Sequence, residues 1–403
     1  MSSYKSWVAT PIKRLARVSY GLGQPPRLSA EGVPIIRATN ITDGLIVREN
    51  LIFAAKSDLP LDRAPLLRSG EILVVRSGAC TGDSAIVTDM WAGSAPGYDL
   101  RLTPQFAEPR FLAYALRSRP VRGQIEIARS RAAQPHLNAE ELGEIRIDVP
   151  NKDEQRRIAD FLDGEAGKID ALVSKKQRVL SLLDEKINSR ILEFIGSSQL
   201  VGLADPSTSV IPIRRALAKL VRPADPDGDV VTAFRDGQVV ARSARRPSGY
   251  TLPTGTEAQG QFVQTGDVVI HGLDGFAGAI GTSESSGNCS PVYHVCVPRD
   301  RGNALFLGRL LRVLAITGYL GLFATSTRER AVDFRNWDGF GRIPIPAVPP
   351  RLQEEIGGWI GSARPLRSAV NRSFVLAEEL RQALITAAVT GQFDVSTARG
   401  AEL

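Results

Sequence analysis

The chain has 403 residues, 43% of them hydrophobic and 23% charged, with a formal net charge of +7. That length exceeds one ordinary core, so two or three domains are expected, and the composition is that of a folded protein, which argues against disorder. Cys80, Cys289 and Cys296 are too few for a disulfide framework, and no apolar run is long enough to cross a membrane, so a soluble cytoplasmic protein is expected.

Residues 9–150 carry short apolar runs (VPIIRATNI, EILVVRS, SAIVTD, EIRIDVP) split by Gly and Pro, with one helical segment over 107–129. A long helical pattern follows over 149–195, where Ile158, Leu162, Ile169, Leu172, Val179, Leu183, Ile187, Ile191 and Phe194 fall three, four or seven apart. Residues 209–348 return to short runs (VVTAF, DVVI, PVYHVCV) with a helical pattern at 303–323. A second long helix is then marked by Ile356, Ile360, Ala363, Leu366, Val370, Phe374, Ala377, Leu380 and Leu384. A narrow stripe of this period is a coiled-coil seam, and roughly 40 residues of helix span about 60 Å. The two helices are expected to cover each other's seams in antiparallel packing. Gly164, Gly167, Gly357, Gly358 and Gly361 weaken their first turns, at about 1 kcal/mol each relative to Ala, and suit close approach or docking.

The chain is written twice. Pro11-Ile12-Lys13-Arg14 returns as Pro212-Ile213-Arg214-Arg215; SGEILVVRSGACTGDSAIVTD (69–89) as TGDVVIHGLDGFAGAIGTSES (265–285); LGEIRIDVP (142–150) as FGRIPIPAVPP (340–350). The offset stays near roughly 200 residues, so the unit is a globular domain plus a helix, duplicated and diverged. The expected fold class is α+β: two mixed recognition domains, 1–150 and 197–350, with long helices at 151–196 and 351–395 and a frayed tail at 396–403.

The basic balance rests on arginine, since only nine residues are lysine and none follows Lys219. Such a balance points to nucleic acid, although GC-rich coding also gives an Arg-, Ala- and Gly-rich chain. Catalytic marks are missing: there is no phosphate loop, no Asp/Asn-Pro-Pro-aromatic segment of an adenine methyltransferase, and no lysine after the single Pro226-Asp227 pair that a nuclease of that type needs. DGFAGAIG (274–281) reads as a turn. Cys289, His294 and Cys296 lack a fourth ligand and a zinc-knuckle spacing, so no metal is expected. A non-catalytic recognition protein follows.

Two related domains separated by two long helices, with PNKDEQRRIADFLD (150–163) opening the first and ALITAAVTGQFDV (383–395) closing the second, resemble the specificity (S) subunit of type I restriction-modification systems. GVPIIRATNITDGLI (32–46) and RAAQPHLNAEELGEIRIDVP (131–150) are similar to the frame of that family's target recognition domains. The second half departs from it, with RLQE (351–354) before the helix and RERAVDFRN (328–336) where a QPHLN-like stretch would stand. The resemblance implies that each domain reads one half of a bipartite double-stranded DNA site and that the helix pair sets the spacer. It implies two methyltransferase (M) subunits, which bind S-adenosylmethionine, and two restriction (R) subunits, which use ATP and Mg; this chain itself would hold no cofactor.

Base edges are read by bidentate donors and phosphates by basic groups. In the first domain the candidates are Gln24, Arg27, Arg37, Asn40, Arg76, Ser77, Thr81, Arg129, Arg131, Gln134 and His136. In the second they are Arg235, Arg242, Arg245, Arg246, His271, Arg328, Arg330, Arg335 and Asn336. The alternative is a protein-interaction adaptor on the same scaffold that has lost specific DNA reading.

Overall fold

A computed structural model of the chain describes residues 7–130, 135–196, 209–245, 260–323 and 333–395. They form two compact units: one holds the residues up to Lys175 together with those from Arg372 onward, and the other spans Lys176–Asn371. The mixed α/β character expected from the sequence is present in both.

In the first unit, strands Ala16–Tyr20, Leu100–Pro104, Ile72–Val74 and Ser84–Ile86 lie in that order in an antiparallel sheet. The inner strand Ile72-Leu73-Val74 is apolar throughout because both its faces are covered. Ile72 and Val74 pack on Phe111, Leu112 and Leu116, and Leu73 packs with Ile36 and Trp91 on the other side. A second sheet orders Ala95–Pro96, Val33–Ile36, Ile52–Ala54 and Leu28–Ser29. The single helix expected over 107–129 is instead two, Pro109–Arg117 and Arg119–Arg129. Ser118 between them is extended, and Pro120 lies in the first turn of the next helix, where its missing N–H costs nothing.

The second unit repeats the sheet with Leu217–Leu220, Tyr293–Pro298, Val268–His271 and Ile280–Thr282. Its covering helix is Ala304–Ile316, whose Phe306, Leu310 and Leu314 pack on Val268 and Ile270.

The long helices are Lys152–Ile195 and Pro350–Val389. In the first unit Phe161 meets Phe393, with ring centroids 5.4 Å apart, and Asp170 pairs with Arg381. In the second unit Asp184 pairs with Arg367 and Arg190 with Glu355. Numbers rise along one helix as they fall along the other in the second unit, and in the first they run the same way from Asp170–Arg381 to Phe393 just past the helix end, which is the expected antiparallel pairing. The seam is less complete than the spacing suggested. Ile158, Leu162, Ile187, Ile191 and Ile356 are buried, yet Leu172 is 46% and Val179 50% exposed. A seven-residue repeat on a straight helix drifts by about 20° per heptad, so residues placed by spacing alone leave the interface. Among the helix glycines, a Cβ on Gly357 would lie 2.5 Å from Asn303, whereas Gly164, Gly167 and Gly358 face open space.

A glutamine fastens each helix start to its globular layer. Gln155 Oε1 accepts from the Glu108 backbone N–H at 2.8 Å, while its Nε2 donates to the Pro150 carbonyl at 2.8 Å. Gln353 does the same with the Asn303 N–H at 3.1 Å and the Val348 carbonyl at 2.8 Å. Glu108 and Asn303 each cap the helix that covers the sheet.

Candidate nucleic-acid interface

The turn that enters the central strand is set by an acid. Glu71 accepts from the Arg68 N–H at 2.8 Å, from Thr103 Oγ1 at 2.8 Å and from Arg101 Nη2 at 2.5 and 2.6 Å. Asp267 plays this part in the second unit, accepting from the Gln264 N–H at 2.7 Å and pairing with Arg222. These contacts explain why the two repeats share Gly-Glu and Gly-Asp at this point.

Beyond that strand lies Arg76. Its guanidinium carbon stands 4.8 Å from the Tyr20 ring centre and 4.2 Å from that of Tyr98, and its Nη2 is 3.2 Å from His136 Nε2. Both tyrosines are about half exposed, while Arg76 itself is half-buried with its Nε enclosed. Arg76 N–H donates to Asp99 Oδ1 at 3.2 Å, and Leu137 N–H donates to the Arg76 carbonyl at 2.8 Å. Burial raises the Asp99 pKa above the usual carboxylate value, against the lowering effect of Arg76. Ser77 is exposed and bridges to His136 through the backbone. Thr81 is buried and ties the loop by donating to the Gly78 carbonyl at 2.7 Å; Arg129 Nη1 donates to the Thr81 carbonyl at 3.1 Å. Arg76, Ser77, Thr81, Arg129 and His136 therefore form one cluster, with Thr81 and Arg129 shaping the loop that carries the rest.

Gln24, Arg27, Arg37 and Asn40 are on segments that flank the strands of the second sheet. Gln24 and Arg27 are exposed. Arg37 Nη2 donates to the Asn50 carbonyl at 2.8 Å. Asn40 is fully buried, with its amide donating to Val47 and Glu49 carbonyls and accepting from the Arg37 N–H, so it is committed to the loop. Arg131 and Gln134 lie outside the described residues.

In the second unit, Phe334 N–H donates to the Gly272 carbonyl at 2.7 Å, as Leu137 does to Arg76. Asn336 caps Trp337–Phe340 as Asn138 caps Ala139–Glu144. Within RERAVDFRN, expected where the QPHLN-like stretch would stand, DFRN thus holds the place of PHLN. Gly272 stands where the first unit has Arg76, and a Cβ there would meet Arg335 Cγ at 2.9 Å; the Arg335 guanidinium pairs with Asp333. Next to it, His271 Nδ1 accepts from the Leu273 and Asp274 N–H groups at 3.1 and 3.0 Å, leaving Nε2 as the donor; burial lowers its pKa and its ring meets Tyr293 edge-on. Arg235 is exposed and pairs with Asp274 at 2.9 Å. Arg242 Nε donates to Thr232 Oγ1, and Arg245 stacks on Phe234 and pairs with Asp236. Arg246, Arg328 and Arg330 lie outside the described residues.

Tyr20 and Tyr98 were missed because they lie far from Arg76 in sequence and reach it only through strand pairing. Cys289 and Cys296 are buried, with burial pushing the Cys289 thiol up to about 12, and His294 Nε2 bonds the Phe334 carbonyl at 2.6 Å.

Residues 26–180 match the family model described as type I restriction modification DNA specificity domain. No curated protein matches the chain. Among solved structures, it is similar to a chain from work on complex assembly and conformational transition of the type I R-M system, at 17% identity and TM-score 0.51, covering 97% of this chain and 100% of that one. It also matches the HsdS subunit from Thermoanaerobacter tengcongensis (15% identity, 98% of this chain and 99% of that one, TM-score 0.43). The S subunit of a type I restriction-modification system from M. genitalium matches at 14% identity, with 96% and 97% coverage and TM-score 0.49. Residues 26–180 are therefore similar to the DNA specificity domain of type I restriction modification, within a fold shared with a chain of the type I R-M system.

Proposed function

We propose that this chain is the non-catalytic, DNA-reading subunit of a type I restriction-modification complex. Each recognition domain, within 1–150 and 197–350, reads one half of a bipartite site. The antiparallel helices fix the spacer and seat two methyltransferase subunits, to which two restriction subunits add. S-adenosylmethionine belongs to the former, ATP and Mg to the latter, and the assembly works in the cytoplasm.

The observation that carries this reading is Arg76. A guanidinium held against Tyr20 and Tyr98, with its Nε enclosed and Nη2 beside His136, offers the Nη edge that guanine O6 and N7 accept. Gly272 replaces it in the second unit, beside His271 and Arg335, so the two sites offer different donors from one frame, as two different half-sites require. Exchange of residues 1–150 for the matching domain of a homologue tests this. One half of the recognised sequence should change and the other persist; a change in both halves contradicts the modular reading.

A further inference from the structure

Each unit has a cleft beside its covering helix, and the two clefts are built from matching parts. In the first unit Arg117, at the end of Pro109–Arg117, lies over the Asp43-Gly44 turn; in the second, Arg312 lies over Asp236-Gly237. Both glycines have φ near +85°, and a Cβ on either would meet the arginine at 2.4 Å. Leu162, Ala166 and Ile169 on the first long helix repeat the spacing of Ile360, Arg364 and Arg367 on the second, and each trio lines its own cleft.

The clefts differ in volume and in charge. The second has only about 40 Å³, because arginine side chains fill it. Arg367 Nη2 reaches Asp184 Oδ1 at 2.6 Å, Arg309 Nη2 reaches the same oxygen at 2.8 Å, and Arg364 Nη2 donates to the Thr282 carbonyl at 2.6 Å. The first, with Ala166 and Ile169 in place of Arg364 and Arg367, has about 550 Å³. Five carboxylates line it (Asp43, Asp89, Glu108, Asp163 and Glu165) against three arginines; Arg110 pairs with Glu108 and Asp163, Glu165 pairs with Lys168 and Arg381 with Asp170, and Asp43 and Asp89 are exposed at its rim. The second has the reverse balance, four arginines against Asp184 and Glu284. Leu45, Ile86 and Leu384 give the first cleft apolar walls.

We propose that the first unit's cleft docks an arginine-bearing segment of a partner protein, whose guanidinium groups take the place that Arg364 and Arg367 hold in the second. The chain's own second unit shows which side chains complete this frame, and the exposed Asp43 and Asp89 select a cation. This goes beyond DNA reading and does not depend on it.

The test is calorimetric titration of the full chain with the blocked peptide Leu-Arg-Ala-Leu-Arg-Leu and with its counterpart carrying Glu for Arg. The Arg peptide should bind saturably, at least about tenfold tighter than the Glu peptide. Ala166→Arg, which supplies the missing side chain from within, should weaken it by about tenfold or more, and Asp89→Asn, at an exposed rim position, by about threefold. Asp89→Asn keeps the test open if the first variant does not fold. Equal affinity for the two peptides, or binding unchanged in both variants, overturns the proposal. No DNA is present, so failure here leaves the DNA-reading proposal standing.

Discussion

Arg76 rests its guanidinium 4.2 Å from the centre of the Tyr98 ring. The stack fixes the plane of the cation before any base is met, which reduces the side-chain entropy lost on reading it. Arg76→Ala should cost about 1–3 kcal/mol in binding to the recognised DNA and relax preference at one base position. Arg76→Lys keeps the charge but loses the fork, so it should lose selectivity more than salt-dependent affinity. Titration against a panel of single-base variants checks both. A uniform loss across all sequences would make Arg76 a phosphate contact.

The Glu71–Arg101 pair is almost wholly buried, at 4% and 7% exposure. Removing one partner strands the other charge, so Arg101→Met should destabilise the first unit by about 3–5 kcal/mol. Urea unfolding gives the number. A loss below about 1 kcal/mol would show the pair to be solvated.

Gln155 and Gln353 each satisfy one backbone donor and one carbonyl at a helix start. Gln155→Ala should cost about 1–3 kcal/mol by leaving the Glu108 N–H unmatched. Gln155→Glu retains the acceptor but not the donor and should fall between the two. Denaturant midpoints of the three proteins test this order.

Asp99 has a pKa raised by burial, so the folded chain holds its proton more tightly than the unfolded one. Its contribution is therefore fully present below the ordinary value near 3.8 and is lost as pH rises through the folded value. Asp99→Asn keeps an acceptor for the Arg76 N–H and should raise the urea midpoint at neutral pH, with the difference closing on acidification. A difference that grows toward acid would contradict the desolvation argument.

The long helices and the duplication were readable because period and recurrence are local properties of sequence, and the Gly-Glu and Gly-Asp repeats marked Glu71 and Asp267 without disclosing their arginine partners. The site was only partly readable. Arg76 and Ser77 were expected from the RSGACTG turn and His136 from the Arg-rich loop, and the fold brings the three together; Tyr20 and Tyr98 join them by strand register, which short strands broken by Gly and Pro do not encode legibly. Asn40 and Asn336 have the right chemistry for adenine, yet the fold places the first inside a loop and the second at a helix cap. Side-chain to backbone bonding of this kind competes with recognition and leaves no separate trace in sequence.

The most direct measurement is to express the chain with a cognate methyltransferase subunit and map modified adenines across a genome by long-read sequencing. One bipartite motif with a fixed gap, altered in a single half by Arg76→Ala, is the expected result. No modified motif, with the methyltransferase folded and bound, would contradict the claim that this chain reads DNA sequence.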